Sequence, residues 1–198
     1  MVRPVFFFLF ALFLLAACGR SVPDTYYLLE SACAPLSVER LPGRSLRIAR
    51  VSVPEYLDRS SIVSRIDDRA QLMVAQFHIW AEPLAQSVRR VVQEGLARLL
   101  LARGLTVQSP GDETAGDFTL FLDVQRLDGA VGGKAVLNVQ WMLKNKRGAI
   151  LGRGVYADEE QTSGNTYDAF VHAQSELVRR MTERLAQTLP LLIAEEKA

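Results

Sequence analysis

The stretch that decides the fold is DFTLFLDVQRL, residues 117–127, in which the apolar residues Phe118, Leu120, Leu122 and Val124 recur with a strict period of two. This period is typical of a β-strand with one buried face, because successive side chains point to opposite sides of a sheet. The stretch KAVLNVQWMLKN, residues 134–145, repeats the pattern. Glycines lie between the two stretches, at Gly129, Gly132 and Gly133, so the sequence predicts a β-hairpin. The apolar positions are Phe118, Leu120, Leu122, Val124, Leu137, Val139, Trp141 and Leu143.

Outward from this hairpin, the pattern predicts further strands and two helices. A third strand follows the turn at Lys146-Arg147-Gly148, and four short β-type stretches precede residue 80: 25–31, 45–53, 61–66 and 71–77. Apolar residues at helical spacing predict one helix that begins at Glu82-Pro83 and is stopped by Gly104. A second set of apolar residues at helical spacing predicts a terminal helix over about 167–193, which Pro190 ends or kinks.

The order of these elements is strands, a helix, a three-stranded meander and a helix. Segregated strands and helices favour an α+β class. We therefore expect a single mostly antiparallel sheet with two long helices packed on one face.

Composition and reactive residues argue against several classes of function. Without residues 1–17 the chain would carry 22 basic and 22 acidic residues, so it has no electrostatic footprint for nucleic acid. The two histidines, His78 and His172, are not at metal-ligand spacing. No nucleophile elbow or metalloprotease pair is present. We expect no enzyme, no metal and no cofactor.

The N-terminus indicates export and a lipid anchor. Arg3 precedes an apolar run from Val5 to Ala17, which is shorter than the ~20 residues that span a bilayer. Leu15-Ala16-Ala17-Cys18 resembles a bacterial lipobox, so Cys18 is the predicted lipidation site. The alternative is an ordinary signal peptide with an incidental cysteine. By analogy with sorting signals, Gly19 favours delivery to the outer membrane over retention in the inner membrane.

These features divide the chain into a signal peptide (1–17), a lipidated tether (18–25) and one domain (26–198). Residues 19–25 can span at most ~25 Å, so the domain is expected to stay close to the membrane that holds it. Lipidation of Cys18 would leave Cys33 without an intramolecular disulfide partner, either as a free thiol or as an intermolecular one.

The stretches VPEYLDRSSIVSR (53–65) and WAEPL (80–84), with the lipobox and YYLL at 26–29, resemble the ABC-type transport auxiliary lipoproteins of the PqiC/YmbA kind. The resemblance extends through the hairpin and the closing helix. It implies an outer-membrane docking component that works with an MCE-domain periplasmic protein and its inner-membrane component. Such systems are thought to move phospholipids or other hydrophobic molecules between membranes. The resemblance also allows a homo-oligomeric ring.

Two groups of residues are candidates for partner contact. Tyr56, Leu57, Asp58 and Arg59 follow Pro54 in a predicted loop, and loops carry function more often than regular elements do. Trp80 and Glu82 lie at the predicted helix start, where they either contact a partner or simply cover the apolar stripe. Two other functions remain open: a carrier that binds lipid in a cleft between sheet and helices, and a scaffolding or assembly lipoprotein of another envelope machine.

Overall fold

A computed structural model describes residues 22–30, 43–66, 70–101, 103–109 and 116–196. The described residues form eight strands and two helices. The strands are β1 (Thr25–Tyr27), β2 (Arg44–Ile48), β3 (Ser61–Arg65), β4 (Leu72–Trp80), β5 (Leu105–Val107), β6 (Phe118–Gly129), β7 (Lys134–Asn145) and β8 (Ile150–Gln161). The helices are α1 (Leu84–Leu101), between β4 and β5, and α2 (Tyr167–Glu195), after β8.

The predicted hairpin is the centre of a five-stranded sheet with the order β5-β2-β6-β7-β8. β6, β7 and β8 form the expected antiparallel meander, whereas β2 runs parallel to both β5 and β6. A bulge interrupts β6, because Val124 faces Val139 while Arg126 faces Asn138, which leaves Gln125 as the extra residue. Side chains that follow the bulge therefore change face relative to those that precede it.

A second, small sheet has the order β1-β4-β3. β1 pairs with β4 in parallel, with Thr25 opposite His78, and β3 pairs with β4 antiparallel. The α+β class is confirmed, but the prediction of a single mostly antiparallel sheet is wrong. Among the described residues there are two sheets, and the larger is mixed. The cause is parallel pairing between strands far apart in the chain, which local periodicity does not encode.

One core joins both helices to both sheets. The helices lie on the face of the large sheet that carries the apolar positions of β6 and β7. Side chains that are fully buried there include Val88, Val92, Leu96, Leu120, Leu137, Phe170 and Leu177. The helices approach each other closely at Gly95, where a Cβ atom would lie 2.7 Å from Cγ2 of Thr182. Gly104 ends the first helical region with a φ of 69°, as the sequence predicts.

Pro190 lies inside α2, so of the two predictions made for it, ending or kinking the helix, the first is wrong. Proline lacks the N–H that would bond to the carbonyl of Ala186, four residues earlier. That carbonyl instead accepts a hydrogen bond of 2.8 Å from Nη1 of Arg103. An arginine beyond α1 therefore satisfies the acceptor that Pro190 leaves free, and α2 continues to Glu195.

Candidate functional site

The structure brings four of the predicted contact residues into one depression of about 270 Å³. We call it the contact groove. Its lining residues are Asp58, Arg59, Ser60, Trp80, Ala81, Glu82 and Pro83. The groove lies where the turn that follows Pro54 meets the junction between β4 and α1. Tyr56 and Leu57, also predicted as contacts, do not line it.

The turn on one side of the groove is held by its own backbone. The N–H groups of Leu57 and Asp58 both bond to the carbonyl of Pro54, at 2.9 and 3.1 Å. Leu57 is buried in the core, whereas Asp58 and Arg59 are exposed. The structure thus makes Leu57 the anchor of the turn and leaves Asp58 and Arg59 as the side chains that another molecule can reach.

Tyr56 fastens the turn to the large sheet through Asp128 in β6. The Tyr56 hydroxyl donates to Oδ2 of Asp128 at 2.8 Å, and Arg65 donates to both carboxylate oxygens at 2.9 Å. Nε of Arg126 donates to Oδ1 at 2.7 Å. Asp128 is completely buried, so this carboxylate is satisfied by protein groups. We call these four residues the Asp128 cluster.

Ionisation in the Asp128 cluster follows from burial and pairing. Burial acts to raise the pKa of Asp128, but hydrogen bonds from Arg65, Arg126 and Tyr56 outweigh it and hold that pKa below its ordinary value. Burial, followed by the hydrogen bond to Asp128, raises the pKa of Tyr56 to about 12. At neutral pH Asp128 is therefore a carboxylate and Tyr56 a neutral donor, which is the combination that binds the turn to the sheet.

The other side of the groove is the end of β4. The Trp80 N–H bonds to the carbonyl of Ser60 at 2.7 Å, and the Ala81 N–H bonds to the carbonyl of Tyr27 at the same distance. The Trp80 side chain is 94% buried, since its relative exposure is 6%. Trp80 therefore serves mainly as a packing residue, and only a small part of it is accessible from the groove.

Glu82 is held by an ion pair at the start of α1. Nε of Arg90 donates to Oε1 of Glu82 at 2.9 Å, and Nη2 of the same arginine donates to the carbonyl of Leu29 at 2.9 Å. Both side chains are a little over a quarter exposed. Glu82 thus presents a fixed carboxylate on the groove wall, opposite the exposed charges of Asp58 and Arg59.

A larger depression of about 650 Å³ lies on the face of the large sheet that the helices leave uncovered. We call it the open sheet face. Its apolar part comes from Phe121, Met142 and Val155, and its cations are Arg50 and Arg153. The cleft between sheet and helices that a lipid carrier would need is absent among the described residues, because the buried core fills that space. Sequence periodicity could not distinguish the buried face of the sheet from its open face, since both faces carry apolar residues.

His78 has a structural environment. Its Nδ1 lies 2.9 Å from the Tyr27 hydroxyl, and its ring stacks on Tyr167 with 4.0 Å between centroids. No group of three or more His, Cys, Asp or Glu side chains that could hold a metal ion occurs among the described residues. Within the same residues, no helix is both long enough and apolar enough to cross a membrane. Cys18 and Cys33 lie outside the described residues.

Comparison with known proteins identifies a family for most of the chain. A family model described as the ABC-type transport auxiliary lipoprotein component matches residues 26–186. A comparison of the sequence with curated proteins gave no significant match.

Solved structures resemble this fold over nearly their whole length. A crystal structure of an uncharacterized protein is 24% identical, with a TM-score of 0.69; the match covers 85% of this chain and 99% of the other. Protein XCC0632 from Xanthomonas campestris, of family DUF330, is 16% identical with the same TM-score, over 87% and 99% of the two chains. The PelC dodecamer from Paraburkholderia phytofirmans is more distant, with a TM-score of 0.42, 13% identity and coverage of 78% and 93%. That last likeness is too distant to bear on how this chain assembles.

Proposed function

Because the chain belongs to the family of ABC-type transport auxiliary lipoprotein components, we propose that it is the outer-membrane docking component of a system that moves phospholipids or other hydrophobic molecules between envelope membranes. Family membership makes the chain a lipoprotein, anchored in the cell envelope, that works with a partner in an ABC-type transport system. The family is a transport auxiliary family and not an enzyme family. The membrane, the cargo and the docking role are parts of the proposal.

The observation that carries the docking role is the contact groove. Residues 58–59 and 80–82 are separated in the chain, yet they line one depression on a rigid support. Two exposed, opposite charges, Asp58 and Arg59, stand on a turn whose base is locked by Leu57 and the Asp128 cluster. A preorganised turn loses little conformational freedom when a partner binds, so its contacts contribute fully to affinity.

The proposed partner is an MCE-domain periplasmic protein, together with its inner-membrane component. The resemblance in residues 53–65 and 80–84 supports this choice, and those stretches supply the groove. Proposed lipidation at Cys18, followed by Gly19, favours the outer membrane. A tether of at most ~25 Å keeps the groove near that membrane, so the partner has to come to it. A homo-oligomeric ring is compatible with this arrangement.

The test is recovery of partners from native membranes. The acylated protein would be affinity-purified with Arg59 intact and as Arg59→Glu, and the bound proteins identified by mass spectrometry. We expect an MCE-domain protein and its membrane subunit with the wild type, and about a tenfold loss with Arg59→Glu, which corresponds to about 1.4 kcal/mol of binding free energy lost when the charge on the groove is reversed. Arg147→Glu is the matched control, because Arg147 is equally exposed but lies in the turn between β7 and β8.

The outcomes separate the candidate functions. Recovery of secretion or cell-wall proteins in place of an MCE-domain protein would favour the scaffolding or assembly alternative. If Arg59→Glu and Arg147→Glu reduced recovery of the partner equally, the contact groove would not be the docking site, although the partner would still be identified.

A second candidate function, lipid binding by the domain itself, is favoured by the open sheet face. Phe121, Met142 and Val155 offer apolar surface, and Arg50 and Arg153 suit an anionic headgroup. Gently extracted protein should then contain stoichiometric phospholipid by native mass spectrometry. Met142→Glu should remove that lipid, whereas Leu191→Glu, an exposed position on α2, should keep it. Protein that is empty in both forms would leave docking as the function.

A further inference from the structure

The N-terminal end of β4 exposes three consecutive large apolar side chains. Leu72, Met73 and Val74 are 37%, 47% and 51% exposed. A half-buried strand normally hides every second side chain, because successive residues point to opposite faces. Here both faces are accessible, so this end of β4 extends past the core. Contiguous exposed apolar residues of this kind mark contact with a membrane or another protein. We call them the β4 apolar end.

The direction of β1, which lies next to β4, indicates which end of β4 is nearer to the N-terminal segment of the chain. β1 runs parallel to β4, with Thr25 opposite His78. The residues that precede Thr25 therefore lead back toward the N-terminal end of β4. From His78 to Met73 the strand advances ~17 Å. Val22, the first described residue, is itself apolar and 59% exposed.

The proposed anchor is within reach of the same end. Cys18 lies four residues before Val22, and four residues span at most ~14 Å. A lipid on Cys18 would therefore bring a bilayer surface to the side of the molecule on which the β4 apolar end projects. The length and direction of the tether single out the membrane from other candidate occupants of this surface.

We propose that the β4 apolar end rests on the phospholipid surface that holds the lipid of Cys18, as a second membrane contact of the domain. The proposal rests on the acylation of Cys18, which belongs to the proposed function. Leu72, Met73 and Val74 occupy the boundary between headgroups and acyl chains.

This contact also orients the contact groove. Trp80, at the other end of β4, lies ~26 Å along the strand from Leu72. With the β4 apolar end on the membrane, the groove faces away from the bilayer and into the periplasm. A second, non-covalent contact would fix this orientation, which a single point of attachment does not.

The experiment measures how close residue 73 lies to lipid. Acylated Met73→Cys protein in a Cys33→Ser background would carry an environment-sensitive fluorophore and be reconstituted in phosphatidylethanolamine/phosphatidylglycerol vesicles containing nitroxide-labelled lipid. The control label is at Leu191→Cys, on α2 and away from the open sheet face, where the side chain is 67% exposed. We expect quenching at least about threefold stronger at residue 73 than at residue 191, because interfacial side chains reach roughly 5–10 Å into the headgroup region.

The contrary outcomes are distinct. Equal quenching at the two positions, with the acyl chains verified by mass spectrometry, overturns the inference and leaves the proposed function standing. A second contrary result is a label at residue 73 that is shielded from aqueous iodide but not quenched by lipid nitroxide, in protein that cross-links as a dimer. That result would assign the β4 apolar end to contact with a second copy of the chain, and it would also overturn the inference. Absence of acyl chains on Cys18 contradicts the proposed anchor and the membrane contact together.

Discussion

The hydroxyl of Tyr56 donates a 2.8 Å hydrogen bond to Oδ2 of Asp128, 72 residues further along the chain. This bond joins the turn that supports the contact groove to the central strand of the large sheet. Asp128 is fully buried and also accepts hydrogen bonds from Arg65 and Arg126. The position of the groove relative to the large sheet therefore depends on one buried carboxylate.

Replacing Tyr56 with phenylalanine tests this bond. Tyr56→Phe keeps the ring and removes the hydroxyl, so Asp128 loses one of its donors. We expect the free energy of unfolding to fall by about 1.5–3 kcal/mol, the range for a hydrogen bond to a charged group. Urea denaturation of the variant measures the change. Tyr26→Phe is the matched control, because Tyr26 is 64% exposed, and it should leave stability unchanged.

Asp128 itself gives a stability effect that depends on pH. Asp128→Asn removes the charge that Arg65 and Arg126 pair with, and these arginines are 19% and 28% exposed. Breaking a buried ion pair from one side costs ~3–5 kcal/mol, and partial hydration of the two arginines should reduce this to ~2–3 kcal/mol at pH 7.

The sign of the pH effect follows from the lowered pKa of Asp128. A carboxyl group whose pKa is lower in the folded state stabilises the protein above its unfolded pKa of about 3.9. That contribution disappears as pH falls through the lower, folded-state pKa. Urea curves of wild type and Asp128→Asn should therefore differ most near neutrality, and the difference should begin to shrink as the pH falls below about 4. A difference that stays constant down to pH 3 would show that Asp128 acts through packing alone.

Arg103 and Pro190 should be energetically coupled. Arg103→Met removes the donor to the Ala186 carbonyl, which the ring of Pro190 leaves without a helical partner. We expect a loss of about 1–2 kcal/mol from an unsatisfied acceptor. In a Pro190→Ala background the restored N–H bonds to Ala186, so Arg103→Met should cost markedly less.

A double-mutant cycle measures this coupling by urea denaturation. Arg147→Met, at an exposed turn, controls for the loss of a positive charge. Equal costs of Arg103→Met with and without Pro190 would mean that the arginine does not compensate for the proline.

The sequence predicts those parts of the fold that depend on neighbouring residues. Alternation in residues 117–127 and 134–145 identifies the hairpin because its strands are joined by a short glycine-containing turn. The parallel pairings of β1 with β4 and of β2 with β6 cannot be predicted from such local patterns. Their partners are separated by long stretches of chain, and no local pattern specifies which strands meet.

The candidate site shows the same limit at the level of single residues. The alternating stretch at residues 117–127 ends just before Asp128, so the sequence pattern gives this residue no role. The structure instead buries it within β6, and the bulge at Gln125 turns its side chain toward Tyr56 and Arg65. Asp58 and Trp80 belong to two separate groups of candidates in the sequence, and the bond from Trp80 N–H to the Ser60 carbonyl brings those two parts of the chain together. A bulge and a long-range bond leave no signature in hydropathy.

Cys18→Ser tests the anchor on which the orientation of the domain depends. Serine cannot form the thioether to diacylglycerol, so we expect an uncleaved precursor that lacks the lipid. Without acyl chains, which add about 0.8 kcal/mol per buried CH₂, the domain loses its lasting hold on the membrane. Intact-mass spectrometry of the purified protein reads both cleavage and acylation. Cys33→Ser is the matched control and should be cleaved and acylated as the wild type is. If Cys18→Ser were processed and acylated normally, another residue would have to carry the lipid, and the reach of ~14 Å from anchor to Val22 would no longer hold.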